Sequence, residues 1–231
     1  MESYPVEYYY QSIEKYKQRA YETSLELITQ AIALDANQVA YYYHRGGVLQ
    51  RLQKFDVAIQ DFDKVIGWER QAAAPFIVEA LLAKTEMLYQ QKNYDLLIAT
   101  CDHFLRICRN HWKGFFFRAL GFYFTQHYYL AYQDIEMAFY LSKQPDSIRP
   151  YRGLIGFKVG KFVQAQVDFD IAIRQKPEEA VLWFNRGMNL YKLNKLSEAI
   201  ASFDKATQLG LKNKQLYDFR AKALQQINSL K

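Results

Sequence analysis

The chain has 231 residues, half of them apolar and 23% charged, and 30 basic against 24 acidic side chains give a formal net charge of +6. It carries 19 tyrosines, 16 phenylalanines and 3 tryptophans but only 10 glycines and 5 prolines. This composition excludes disordered and collagen-like chains, and the scarcity of turn-forming residues argues against a turn-rich β protein.

Taken in chain order, the sequence repeats itself. Ser12 aligns with Gly46 at a step of 34, as do Tyr21 with Phe55, Ser24 with Ala58, Ile28 with Phe62 and Ala31 with Val65. From Gly46 to Thr85 the step is 39, which places five extra residues around 73–77. Beyond it the step of 34 returns in Ala119, Gly153 and Gly187, in Ala131, Ala165 and Ala199, and in Ala138, Ala172 and Ala206. The units so defined are 5–38, 39–72, 78–111, 112–145, 146–179 and 180–213, followed by a tail, 214–231.

Inside each unit the apolar residues fall at helical spacing with a break near the middle. In the last unit Trp183, Gly187, Leu190 and Tyr191 mark one amphipathic helix, Leu193-Asn194-Lys195 a polar connection, and Ala199, Phe203 and Ala206 a second helix. Asp56, Asp95 and Ser197 open second helices, where an oxygen can accept from free backbone N–H groups. Small residues on both helices let the backbones approach while Phe62, Phe169 and Phe203 fill the space beside them. In the tail, Tyr217, Ala221 and Leu224 share one face of an unpaired helix, which suits the end cap a stacked array requires.

The pattern Trp183-x2-Arg186-Gly187-x2-Leu190, then Ala199-x3-Phe203 and Ala206, resembles the tetratricopeptide repeat over residues 5–213, with Pro177 at the closing position of a unit. Unit three departs most, having Thr85, Leu97, Cys101 and Phe104 at the marker slots, and with the insertion it predicts a local kink or change of pitch. The resemblance implies an all-α fold: a right-handed α-solenoid of about six helical hairpins plus a C-terminal capping helix, forming a single domain over 1–231.

Nothing in the sequence points to catalysis. It lacks a Gly-rich phosphate loop, a nucleophile elbow and an HExxH motif, and His44, His103, His111 and His127 have no acid and nucleophile at hairpin spacing. Cys101, His103, Cys108 and His111 are ligand-type residues, but seven residues of helix separate the cysteines by about 10 Å, too far to share a tetrahedral ion. Neither an enzyme nor a metal or other cofactor is expected. Two cysteines make no disulfide framework, the N-terminus shows no apolar signal core, and the apolar stretch 115–132 is broken by Arg118, Gln126 and His127. A cytoplasmic protein without a membrane contact is expected.

The resemblance further implies that the first helix of each unit lines a concave groove. The groove residues are then Tyr9, Tyr43, Phe116 and Phe184 at one slot and Tyr89, Tyr123, Phe157 and Tyr191 at another, edged by Arg51, Lys158 and Lys192. An aromatic trough with cations suits a peptide or protein segment with apolar anchors and acidic flanks. The expected function is a non-catalytic scaffold or adaptor. RNA binding by stacking on the aromatics is the rival reading, suggested by a pI near 9.1 but opposed by Glu79, Glu86 and Asp218 on the same wall. Self-association is a third. The clamp with which some relatives hold a C-terminal carboxylate needs Lys, Asn and Arg where this chain has Tyr9, Ile13, His44, Glu79 and Ala83, so that mode is not expected.

Overall fold

A computed structural model describes residues 4–68 and 74–229. The described residues form thirteen α-helices and one 3-10 turn, with no strand among them. The chain divides into two compact units, 1–110 and 111–231. The first holds three hairpins: α1 (Pro5–Lys17) with α2 (Tyr21–Leu34), α3 (Val39–Arg51) with α4 (Phe55–Gly67), and α5 (Ala74–Gln90) with α6 (Tyr94–Ile107). The second holds α7 (Trp112–Phe124) with α8 (Tyr128–Leu141), α9 (Arg149–Lys158) with α10 (Phe162–Gln175), α11 (Ala180–Lys192) with α12 (Leu196–Gln208), and then α13 (Lys214–Ser229). A 3-10 turn, Pro145–Ser147, precedes α9. The fold is an all-α repeat solenoid, each hairpin stacking on the next within its unit.

Every hairpin turns the same way because its connection contains one left-handed residue. Arg19, Gln53, Lys92, Gln126, Gly160 and Asn194 all have φ between 57° and 80°. In each, the next N–H reaches back five residues and the left-handed residue's own N–H reaches back three, as in His127 N to Phe122 O (2.8 Å) and Gln126 N to Tyr123 O (3.1 Å). This closes the carbonyls that a helix end leaves free. Only one of the six is glycine, so five turns carry the cost, about 1 kcal/mol each, of a side chain in the left-handed region.

Between the paired helices, volumes compensate. Gly46, Gly153 and Gly187 face the rings of Phe62, Phe169 and Phe203, so closely that an added Cβ would stand 2.6–2.9 Å from ring carbons. In the first, third and fourth hairpins the same slots hold Ser12 with Ile28, Thr85 with Cys101, and Ala119 with Ile135, all buried. A larger first-helix residue is matched by a smaller second-helix one, which keeps the interface filled. Cys101 thus lies in the core, and Leu97 and Phe104 beside it are fully buried.

A second periodic feature is polar. In the second, fourth, fifth and sixth hairpins and in α13 the residue before the small slot is an arginine, Arg45, Arg118, Arg152, Arg186 and Arg220, and sixteen positions after the first four, before the large slot, stand Asp61, Asp134, Asp168 and Ser202. Arg45, Arg118 and Arg152 each grip their aspartate with two N–H groups at 2.7–2.8 Å. Arg186 gives Nη1 to Ser202 Oγ (2.7 Å) and Nε to Asp170 of the preceding hairpin (2.7 Å). Asp168 is fully buried and also accepts from Arg149 (3.1 Å). Forked pairs of this kind fix geometry, and losing one partner of a buried pair costs about 3–5 kcal/mol.

Three expectations need correction. Asp56, Asp95 and Ser197 lie one residue inside their helices rather than capping them; the caps are Lys54, Asn93 and Lys195, and of these only Asn93 accepts a backbone N–H, from Leu96. The acids still favour the positive helix end. Of the extra segment 73–77, Ala73 lies outside the described residues, and the rest adds a first turn to α5, which runs to 17 residues with Pro75 at its second position. Proline there removes only an N–H that has no intrahelical acceptor. Finally, α13 packs through Leu216 and Ala223, both fully buried, while Tyr217, Ala221 and Leu224 face outward.

Candidate functional site

Among the described residues, no group of three or more His, Cys, Asp or Glu side chains could hold a metal ion, and no helix is long and apolar enough to cross a membrane.

In the first unit the expected groove rings are committed to neighbours. Tyr9 packs on Tyr41 and His44, and burial raises its hydroxyl pKa. Tyr43 lies against Phe62 and Phe76 and donates to the Glu79 carboxylate; burial first, then that bond, push its pKa well above the usual phenol value. Tyr89 is half-buried. Arg51 donates through Nε to Tyr16 Oη (3.0 Å) and lines a polar hollow with Gln50, Gln53, Glu86 and Gln90. Apolar anchoring surface is scarce on this side.

The second unit differs. Two hollows, of about 400 and 300 Å³, share Leu154, Val181 and Asn185, so together they make one trough. The smaller is walled by Tyr123 of α7, Phe157 of α9, Phe184 and Met188 of α11 and Phe219 of α13, with Lys158 beside them. All these helices are the first of a pair or, for α13, in the first-helix register. The larger hollow continues past Tyr151 to Asp146, Gln175 and Lys176. Asp146 accepts from Arg149 and Gln175, and the Arg149 bond chiefly holds its carboxyl below the ordinary range.

The trough brings together Tyr123, Phe157, Lys158 and Phe184, four of the expected residues. Phe184, taken from the sequence as an open anchor, is only 7% exposed and rests on Phe203, so it forms the floor. Phe116 is packed by Trp112, Phe117 and Tyr151, and Tyr191 by Phe219; neither lines either hollow. Lys192 is exposed, and Lys158 stands 5.4 Å from the Tyr128 ring centre, a cation over an aromatic face. On the first helices of the hairpins, the exposed rings lie at the neighbouring slots: Tyr10, Phe124 and Tyr151.

Asn185 was not singled out by sequence. It is more than nine-tenths buried, lines both hollows, and its amide has no hydrogen-bond partner among the described residues. Facing both hollows, that amide can take an incoming donor and acceptor.

The family profile of the tetratricopeptide repeat matches residues 39–71 and 180–213. These two stretches are tetratricopeptide repeats. It is 26% identical over 200 residues to an Hsp70-Hsp90 organizing protein of Triticum aestivum, covering 84% of this chain and 33% of that one. To stress-induced-phosphoprotein 1 of Caenorhabditis elegans it is 23% identical over 205 residues, covering 85% and 60%. The chain thus spans between a third and three fifths of these relatives' length. Among solved structures it is similar to a tetratricopeptide repeat protein of Parabacteroides merdae, with a TM-score of 0.72, 16% identity and coverage of 96% and 87%. It is also similar to YrrB, described as a tetratricopeptide repeat protein with an unusual peptide-binding site, with a TM-score of 0.68, 17% identity and coverage of 87% and 97%. At these identities the structures establish the repeat fold alone.

Proposed function

We propose that this tetratricopeptide-repeat chain is a protein-interaction adaptor that holds an extended peptide segment in the trough of its second unit. The observation that carries the reading is Asn185: a peptide bond offers one N–H and one C=O, and a side-chain amide supplies the complementary acceptor and donor. Around it, Leu154, Phe157, Val181, Met188 and Phe219 provide an apolar wall for an anchor side chain, and Lys158 sits where an acidic neighbour would pair. Recurring peptide recognition combines these parts, backbone bonds for affinity and a pocket for selectivity. Kinship to Hsp70-Hsp90 organizing proteins agrees with a role in bringing proteins together.

The test is a library of extended peptides screened against the parent protein, Asn185→Leu and Lys158→Glu. Selected peptides should carry a large apolar residue near an acid. Asn185→Leu should weaken them about tenfold, the value of a buried hydrogen bond to a neutral group, with the melting temperature maintained. Lys158→Glu should shift selection away from acidic flanks. Equal binding by the folded Asn185→Leu protein sinks the proposal.

A further inference from the structure

In the first unit a hollow of about 280 Å³ lies between two second helices, α4 and α6, and reaches down to α5. Ile66 of α4 and Leu96 of α6 wall it, and Leu81 of α5, fully buried, forms its floor. At that volume it falls just under the ~300–1,000 Å³ of sites that enclose a drug-sized ligand, so it suits one chemical group on a short stem rather than a nucleotide. Its polar lining consists mainly of donors. Lys84, Thr100 and Arg106 contribute to it, with His103 next to them, and among the described residues Asp63 is the one carboxylate in the lining.

Two of these donors are buried and not fully used. Thr100 lies in the middle of α6 and is only 6% exposed. A helical threonine readily turns its hydroxyl back to the carbonyl four residues before, as Thr29, Thr125 and Thr207 do at 2.7–3.0 Å. Thr100 does not: among the described residues its hydroxyl has no partner, and it lines the hollow. Lys84 is 9% exposed and carries three N–H groups, of which Asp63 Oδ1 takes one at 2.5 Å. Asp63 is half-exposed, so it holds the ammonium from the rim and leaves two donors unused among the described residues. Arg106 is exposed and pairs with no carboxylate among the described residues.

We propose that this hollow binds a phosphate monoester carried on a short apolar stem. Buried donors that lack acceptors favour an anion, because a charged acceptor makes stronger hydrogen bonds and can satisfy several donors at once. The donors also differ in kind and origin: a point-charge ammonium comes from α5, and a hydroxyl and a planar guanidinium fork come from α6, six residues apart. A carboxylate offers two oxygens in one plane. The three terminal oxygens of a phosphate ester spread in space and can take a donor from each of Lys84, Thr100 and Arg106. Ile66, Leu81 and Leu96 cover the stem. The ester can belong to a small molecule or to a phosphorylated side chain, and the same donors serve both. The hollow shares no residue with the trough that Asn185 lines.

The probes are phenyl phosphate, benzoate and a short peptide with phosphotyrosine between alanines, each titrated calorimetrically into the full chain. Phenyl phosphate should bind, and benzoate at least about tenfold more weakly. A phosphopeptide that binds more tightly than phenyl phosphate supports a phosphorylated side chain as the source, and one that binds no more tightly supports a small ester. Thr100→Val keeps the shape and removes the hydroxyl. It should weaken phenyl phosphate about tenfold, the value of a hydrogen bond to a charged group, and leave the melting temperature of the free protein unchanged or higher, since no bond is lost. Arg106→Gln should weaken binding by a similar factor, whereas Arg109→Gln, which removes the same charge three residues on and outside the hollow, should leave it as it is. Parent-like affinity in folded Thr100→Val or Arg106→Gln overturns the proposal, as does a parent protein that binds neither phosphate probe or takes benzoate equally well. An equal loss in Arg109→Gln would mean diffuse attraction to a basic surface, and overturns it too.

Discussion

Gly187→Ala is the sharpest test of the volume compensation between paired helices. The added Cβ would stand 2.6 and 2.7 Å from two carbons of the Phe203 ring, which is fully buried. Carbon atoms in contact rest near 3.5–4.0 Å, so the ring must retreat by about 1 Å into a filled core. Overpacking of this size costs about 2 kcal/mol, against which alanine regains about 1 kcal/mol of helix propensity over glycine. The single variant should thus lose about 1 kcal/mol. Phe203→Ile alone leaves a void beside Gly187 and should lose about 2 kcal/mol. The double variant reproduces the Ala119 and Ile135 pairing and should fall within about 1 kcal/mol of the parent, giving a coupling near 2 kcal/mol. Urea titrations followed by far-ultraviolet circular dichroism and by tryptophan emission would measure the cycle. If the two single losses simply add to within about 0.5 kcal/mol, the compensation argument is wrong.

Two further outcomes follow from the turns and from His44. Gln126→Gly should raise the unfolding free energy by up to about 1 kcal/mol, because Gln126 sits at φ 66°, while Gly160→Ala, at φ 80°, should lower it by a similar amount; thermal melts that move in the opposite sense would refute this. The His44 Nε2 lies 2.9 Å from Ser12 Oγ between the rings of Tyr9 and Tyr16, and burial depresses its pKa. With a folded value below the unfolded one, near 6.5, its contribution is whole above about pH 6.5 and is lost as pH falls through the folded value. His111 is also depressed, so the comparison needed is His44→Gln against the parent at pH 7.5 and 5.5: the parent should lose more stability, and parallel losses would count against the assignment.

The hairpins were legible because their cause is local: small residues spaced by twelve within a unit and by 34 between units can serve only closely paired helices. Tyr217, Ala221 and Leu224 misled because they repeat the pattern of Trp183, Gly187 and Leu190 without a second helix to face, and periodicity alone does not say whether a face is covered. Exposure of the groove rings was illegible for a related reason. Tyr43 and Phe184 point from the expected helices, but what closes over them, Phe76 and Glu79 in one case and Phe203 in the other, comes from neighbouring helices. The Arg–Asp spacing of sixteen, repeated three times, was present to be read and follows the same 34-residue period. Asn185 left no such signal, since its importance lies in the partner it lacks.

The arginines also have a mechanical consequence. In the second unit Arg186 is tied to Asp170 of the hairpin before it, and Arg220 to Asp204 in the same manner. A slip of one hairpin along its neighbour by a helical turn, about 5.4 Å, would strand these cations together rather than one after another. Under tension the stack should hold its register and then release a whole hairpin in a single step, instead of creeping.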